Sequence, residues 1–295
     1  MKKYTIMLMF VWLGVSAFGS TVEVSMENDF LGGTDRHYTH GTRITHSYSI
    51  TSDMFPDKNI SRRWAIGQYM YTPSEIDVET IQIGDRPYGG WLYGATSISV
   101  YDNNTLDFLE IDVGLTGKWS GAGDTQKKIH EWLDATEPKG WDTQLDERVG
   151  VNMSYITKFK VRTDNLDVVA KGSLTGGNIH LNAGVGMLLR LGYNIPDDFG
   201  VIRMEPVSRA LADFGIYGIM ELSSKFVGYN YFLEGNDTED IYNINMERYV
   251  FEGSIGFGTY YKNLDFIYLY NIRTKEFKEQ ADNNEFGTVA FSWSY

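Results

Sequence analysis

The chain has 295 residues, enough for one large or two small domains. Its 15% aromatic content and 31 Gly against 6 Pro favour strands and tight turns over helices. The absence of cysteine excludes disulfides, thiolate metal sites and a thiol nucleophile. A net charge of −13 argues against nucleic acid as a partner, because phosphate binding takes clustered Lys and Arg, and nothing suggests a polybasic membrane anchor.

At the N-terminus Lys2 and Lys3 precede the apolar run Tyr4 to Val15, followed by the small residues Ala17, Gly19 and Ser20. This is the layout of a secretory signal peptide, and the run is too short for a good membrane helix. Residues 1–19 are therefore expected to be a signal peptide, and residues 20–295 the folded domain.

Beyond it the apolar residues alternate. The expected strands are Thr21 to Asn28, Tyr38 to Ser49, Ile60 to Tyr71, Gly90 to Tyr101, Asp107 to Gly117, Gly150 to Phe159, Asp167 to Leu174, Ile179 to Leu191, Ala212 to Tyr229, Tyr249 to Tyr261, Leu264 to Thr274 and Glu285 to Tyr295. Between the fifth and sixth the period changes. Gln126, Ile129, His130 and Leu133 fall on one stripe of a helix running from Asp124, a candidate N-cap, to Ala135, with Lys127, Lys128, Glu131 and Asp134 on the other face. His130 on such a stripe is either a hydrogen-bonded side chain at a packing edge or a catalytic imidazole held over a groove. The connection Asn194 to Arg209, with Pro196 and Pro206, has no evident role in the sequence.

Alternating faces suit a soluble sandwich or a barrel whose outside meets lipid. Three features favour the second: strands long enough for a tilted crossing, Tyr and Trp at their ends, and a final strand that closes on aromatic Tyr295, resembling the terminal strand of bacterial outer-membrane barrels. The expected fold is an all-β transmembrane antiparallel barrel of about twelve strands with one helix in an extracellular loop. With an even strand number both termini lie on the periplasmic side. The connections Phe30 to His37, Thr72 to Gly89 and Lys118 to Val149 then share the outer end.

The unusual polar residues collect at those connections. Glu27-Asn28-Asp29 closes the first strand, and Arg36-His37-Tyr38-Thr39-His40-Gly41 opens the second. Their side chains offer the hard oxygens that Ca²⁺ takes, although Asn, Asp and Gly also build ordinary hairpin loops. Asp85-Arg86, in Gly84-Asp85-Arg86-Pro87-Tyr88-Gly89-Gly90-Trp91, would either pair structurally or orient a substrate phosphate.

MENDF, DRHYTHG, GDRPYGGWLYG and QKKIHEWL with PKGWDTQL, in this order, resemble the outer-membrane lipid A 3-O-deacylase (LpxR-like) family, over most of the mature chain. The resemblance implies a twelve-stranded barrel with its site at the outer end, between the wall and a loop helix. It implies calcium dependence and removal of the 3′-linked acyloxyacyl group of lipid A, with lipopolysaccharide of the outer leaflet as substrate and a monomer in the bacterial outer membrane. The family's Asn-Asp pair falls on Asn28 and Asp29, its threonine on Thr39 and its Gln-x-x-x-His on Gln126 and His130. The acidic residue that the family carries a few positions beyond its His falls here on Thr136 or on its neighbour Glu137; with Glu137 taken, Asp29 and Glu137 are the expected metal ligands, and Asp85 and Arg86 the expected substrate contacts. The loop before Asp85 departs from the family: Pro73 to Asp77 stand where some members carry a basic cluster.

Ester hydrolysis at neutral pH needs a base for water and a stabiliser for the oxyanion. The expected base is neutral His130, with Ca²⁺ polarising the carbonyl and Asn28, Thr39 and Gln126 positioning metal, water or imidazole. Two alternatives are a calcium-dependent phospholipase with Ser120 as nucleophile, which lacks a G-x-S-x-G elbow, and a non-catalytic channel or lipid-binding barrel.

Overall fold

Side chains on a strand point alternately to its two faces, so strands that are polar on one face and apolar on the other must separate two media. All twelve expected strands form and pair in chain order: β1 (Ser20–Asn28), β2 (His37–Ile50), β3 (Asn59–Thr72), β4 (Gly89–Tyr101), β5 (Thr105–Thr116), β6 (Val149–Arg162), β7 (Leu166–Gly177), β8 (His180–Tyr193), β9 (Phe214–Asn230), β10 (Tyr249–Tyr261), β11 (Leu264–Arg273) and β12 (Asn284–Ser294). β1 also pairs with β12, Thr21 opposite Ser294 and Asn28 opposite Gly287, which closes an antiparallel barrel and leaves no sheet edge. A sandwich is thereby excluded. The computed structural model describes residues 19–29, 37–53, 55–201, 204–206, 213–235 and 241–295; the expected signal peptide up to residue 18 and the first connection, residues 30–36, lie outside them.

The two faces differ as a membrane barrel requires. On β5, Leu106, Phe108, Glu110 and Asp112 are buried inside, whereas Leu109, Ile111 and Val113 are exposed outside. Inside, Glu110 accepts from Arg43 at 2.6 Å and from Arg63 at 2.9 Å, so charges withdrawn from bulk water are paired. Among the described residues no helix is long and apolar enough to cross a membrane.

The described residues of the β8–β9 connection, which the sequence left without a role, fold into the lumen at the end that holds the termini. Ile195, Phe199, Val201 and Met204 pack against the inward residues Leu106, Phe108, Leu188, Tyr217 and Leu269. Arg190 on β8 anchors it, donating to Asp167 at 2.9 and 2.7 Å and to Asp198 at 2.5 Å. Lys158 donates to the Phe199 carbonyl at 3.0 Å, and Arg162 to that of Pro196 at 2.9 Å. Above this floor lies a cavity of about 400 Å³ whose lining includes Arg43, Glu110, Lys171 and Glu221. At the opposite end the short α2 (Tyr231–Glu234) tucks Phe232 onto Tyr71, ring centroids 4.4 Å apart. Described residues thus pack into the barrel at both of its ends.

Replacing Arg190 by Met strands two buried carboxylates and should cost about 3–5 kcal/mol. The expected outcome is release of the floor, read as a rise in planar-bilayer conductance over the wild-type barrel.

Candidate active site

Strand register fixes one row of residues at the outer rim. Asn28 lies opposite His40, His40 opposite Met70, and Met70 opposite Gly90. Glu27, Tyr69 and Tyr71, their chain neighbours, line the lumen, so Asn28 and Met70 lie on the outer wall. Along β3 the same face carries Trp64 and Ile66, both exposed, and then Gln68. A bulge between Tyr38 and His40 breaks the alternation. Tyr38 points inward and its hydroxyl donates to Glu27, whereas Thr39 meets the Thr72 hydroxyl at 2.6 Å and His40 meets that of Thr42 at 2.6 Å. The bulge therefore gives the outer wall two successive functional residues instead of one.

The helix, α1 (Ala122–Leu133), lies against β3 and β4 across this row. It starts two residues before the expected position. Gly121, at φ 65°, turns the chain into it, and Asp124 sits in the first turn rather than at the cap. Close approach to the wall depends on Gly90, where a Cβ would stand 2.1 Å from Ser120 Oγ and 2.4 Å from Ala122 Cβ. Met70 packs with Ala122, Tyr88 and Trp141, and Gln68 donates to the Ser120 carbonyl at 2.8 Å. The buried stripe is Ala122, Gln126 and His130; Ile129 is half-buried, and Leu133, expected on the stripe, is exposed because the helix end runs past its cover.

Two polar side chains of the stripe are fixed from behind. Trp141 Nε1 donates to Gln126 Oε1 at 2.7 Å, and because an indole only donates, the amide nitrogen of Gln126 is left as a buried donor without a partner among the described residues. His130 Nδ1 is 2.5 Å from the Thr136 carbonyl oxygen. A carbonyl only accepts, so Nδ1 carries the proton, and in that tautomer the lone pair lies on Nε2. The chain reaches back because α1 ends at Asp134, at φ 55°, and Ala135 N–H donates to the His130 carbonyl at 2.9 Å.

On the wall, Asn28 Nδ2 donates to the Thr39 carbonyl at 3.1 Å, which turns Oδ1 the other way, and Asp29 follows, buried. Asn28, Asp29 and Thr39 thus share one strand end, and Gln126 and His130 one helix face, at the same rim. Their donors are hard oxygens of the kind calcium takes, so this strand end fits such an ion in chemistry, although among the described residues no three His, Asp or Glu cluster as a metal site. Glu137 stands exposed just after the residue whose carbonyl holds the imidazole. Sequence reading missed His40, Met70 and Gly90 as parts of the site; the strand register, once known, finds them.

Asp85 and Arg86 belong to the rim framework. Asp85 accepts from the backbone N–H of Ser74 and of Arg86, both at 2.7 Å. Arg86 is fully buried, donates to Glu276 at 3.2 Å and lies over the Tyr71 ring. Burial works against ionisation of Glu276, but Arg86 and Arg273 outweigh it and hold its carboxyl at about 2. Ser120, the rival nucleophile, is buried and donates to the Gly117 carbonyl at 2.6 Å while accepting from Ala122 N–H at 3.3 Å. It joins the helix to the wall.

The family described as "Outer membrane protein LpxR" matches residues 5–295 of the chain. Among solved structures, LpxR from Salmonella typhimurium superimposes with a TM-score of 0.79 at 20% identity, covering 92% of this chain and 99% of that one. The β domain of the Bordetella autotransporter BrkA follows with a TM-score of 0.49 at 8% identity, covering 94% and 99%. Comparison with curated protein sequences gives no match.

Replacing Gly90 by Val forces α1 off the wall at a cost of about 1–3 kcal/mol. Limited trypsinolysis in membranes should then cut at Lys127 and Lys128 faster than in the wild type.

Proposed function

The chain belongs to the LpxR family of outer membrane proteins, and from that premise we propose that it is a lipid A 3-O-deacylase, hydrolysing the ester of the 3′-acyloxyacyl chain in the outer leaflet. The sequence motifs carry the substrate class. The observation that carries the chemistry is the imidazole of His130, held through Nδ1–H by the Thr136 carbonyl, which is the tautomer whose Nε2 can act as a base. A base placed between a helix and the lipid-facing side of the wall suits a substrate that never leaves the bilayer.

In this reading His130 Nε2 takes a proton from water as the water oxygen attacks the ester carbonyl carbon. The C–O bond to the sugar then breaks, the electron pair leaves with the sugar oxygen, and the proton passes from His130 to that oxygen. The products are a free acid and a lipid A with a 3′-hydroxyl. The Thr136 carbonyl keeps the ring in the required tautomer throughout and faces the charge that forms on it. The unpartnered amide nitrogen of Gln126, one turn from the imidazole, is suited to donate to the oxygen on which negative charge develops. Asn28 and Asp29 would hold Ca²⁺ through their side-chain oxygens, with Glu137 a further donor on the helix side, and Thr39 would fix the Asn28 end of the site. Bound calcium supplies a Lewis acid for the carbonyl. Each barrel carries both halves of the site, so a single copy suffices.

His130→Gln keeps a neutral side chain of similar reach and should fold and insert, yet lower hydrolysis of lipid A by about 10²–10⁴-fold. Mass spectrometry of lipid A recovered from outer membranes checks this; wild-type turnover in the variant removes the base assignment. Chelation should abolish activity, added Ca²⁺ should restore it and Mg²⁺ should not, and Asp29→Asn should raise the Ca²⁺ concentration for half-maximal rate. Activity indifferent to chelator would remove calcium from the account.

A further inference from the structure

Two large apolar side chains near the end of α1 have no cover among the described residues. Trp132 is 72% exposed and Leu133 60%, more than most side chains on the lipid-facing strands. The helix is amphipathic in the usual sense only along its charged arc, Asp124, Lys127, Lys128 and Glu131, which is exposed.

Two contacts orient the helix. Ala122, Gln126 and His130 face the wall, as described above. One flank lies under the rim loops: a Cβ on Gly123 would meet the Trp141 ring at 3.0 Å, and that ring packs on Tyr88, whose hydroxyl donates to the Ile76 carbonyl at 2.8 Å. Trp132 lies nine residues after Gly123, at 3.6 residues per turn about two and a half turns on, and so occupies the opposite flank. With the wall on one side and the rim loops above, that flank looks down the outer wall. Leu133 continues the stripe of Gln126 and His130 by one turn, at the open end of the crevice.

What lies below is apolar. On β3 the outward side chains next down the wall, after Gln68, are Ile66 and Trp64, and on β6 the outward face begins with exposed Val149 at the first residue of the strand. The lipid-facing band therefore reaches the strand ends between which α1 is inserted. Trp119, 57% exposed in the turn leading into α1, continues it.

We propose that α1 is a membrane-surface helix whose Trp132 and Leu133 sit among the acyl chains of the outer leaflet, so that the crevice beside His130 opens sideways into lipid rather than upward into water. Tryptophan on the flank that looks down the wall, leucine at the open end of the crevice and lysines on the outer arc are the composition of a helix lying in the interface. The chains that cover Leu133 are then those of the leaflet itself, and a substrate acyl chain reaches the imidazole without crossing water. The inference rests on the outer-membrane placement of the barrel and on the position of α1, not on hydrolysis.

The chain has no cysteine, so a single introduced thiol carries a unique spin label. Trp132→Cys, Leu133→Cys, Glu131→Cys and Ile66→Cys would be labelled, folded into dioleoylphosphatidylcholine vesicles and compared for collision with oxygen and with a water-soluble nickel complex. Heat-dependent gel migration selects the folded barrels. The expected result is that labels at 132 and 133 favour oxygen as the label at 66 does, while the label at 131 favours nickel. If labels at 132 and 133 meet nickel as readily as that at 131, the helix stands in water and the proposal is overturned. These vesicles contain no lipid A, so the outcome is independent of whether the protein deacylates it.

Discussion

Strand register is the constraint on which the rest of the structure depends. Because side chains alternate with a period of two, a pairing shifted by one residue would send Met70 into the lumen and Tyr71 to the outside. In the observed register Asn28, His40, Met70 and Gly90 form one row on the outer wall, and the inward neighbours Glu27, Tyr69 and Tyr71 line the cavity within. Within this row the local exception is the bulge at Thr39, whose carbonyl accepts from Asn28 and whose hydroxyl meets that of Thr72. Such exceptions persist where they re-aim a side chain.

The lumen and the crevice have separate tasks. Inside, Arg43, Arg63 and Arg190 are paired with carboxylates, and the folded-in β8–β9 connection packs against the inner wall, so the interior serves to make a rigid cylinder. In the proposed reading the chemistry belongs to the outside, where the glycine at position 90 lets a helix approach the wall at backbone distance. The site is built from both ends by side chains held from behind: Gln126 by Trp141, His130 by the Thr136 carbonyl, and Asn28 by the Thr39 carbonyl. A site whose groups are oriented before substrate arrives pays less reorganisation during reaction.

Much of this was legible in the sequence. Alternation along Ile179 to Leu191 or Tyr249 to Tyr261 carries the barrel, and parity of the strand count brings Asn28, Thr39 and His130 to one rim. What stayed hidden is physical in each case. The β8–β9 connection has no period, because it is held by cations on neighbouring strands rather than by its own pattern. The start of α1 shifted because Gly121, rather than a capping side chain, sets it. In the sequence Asp85 and Arg86 stand side by side as a structural pair or a phosphate site, and only the tertiary fold brings Glu276, from a loop 190 residues away, to the buried Arg86. Gly90 is silent in the sequence, since the space it leaves belongs to a helix elsewhere in the chain.

The central claim is that α1 lies on the outer wall and not over the lumen, and a disulfide tests it directly. In a chain without native cysteine, Met70→Cys with Ala122→Cys should oxidise to an intramolecular bridge in intact outer membranes, detected by mass spectrometry of the linked peptides. Tyr71→Cys with Ala122→Cys, one residue along and facing the lumen, should not. Bridging of the second pair in preference to the first would place the helix over the barrel mouth and remove the crevice in which the chemistry is set.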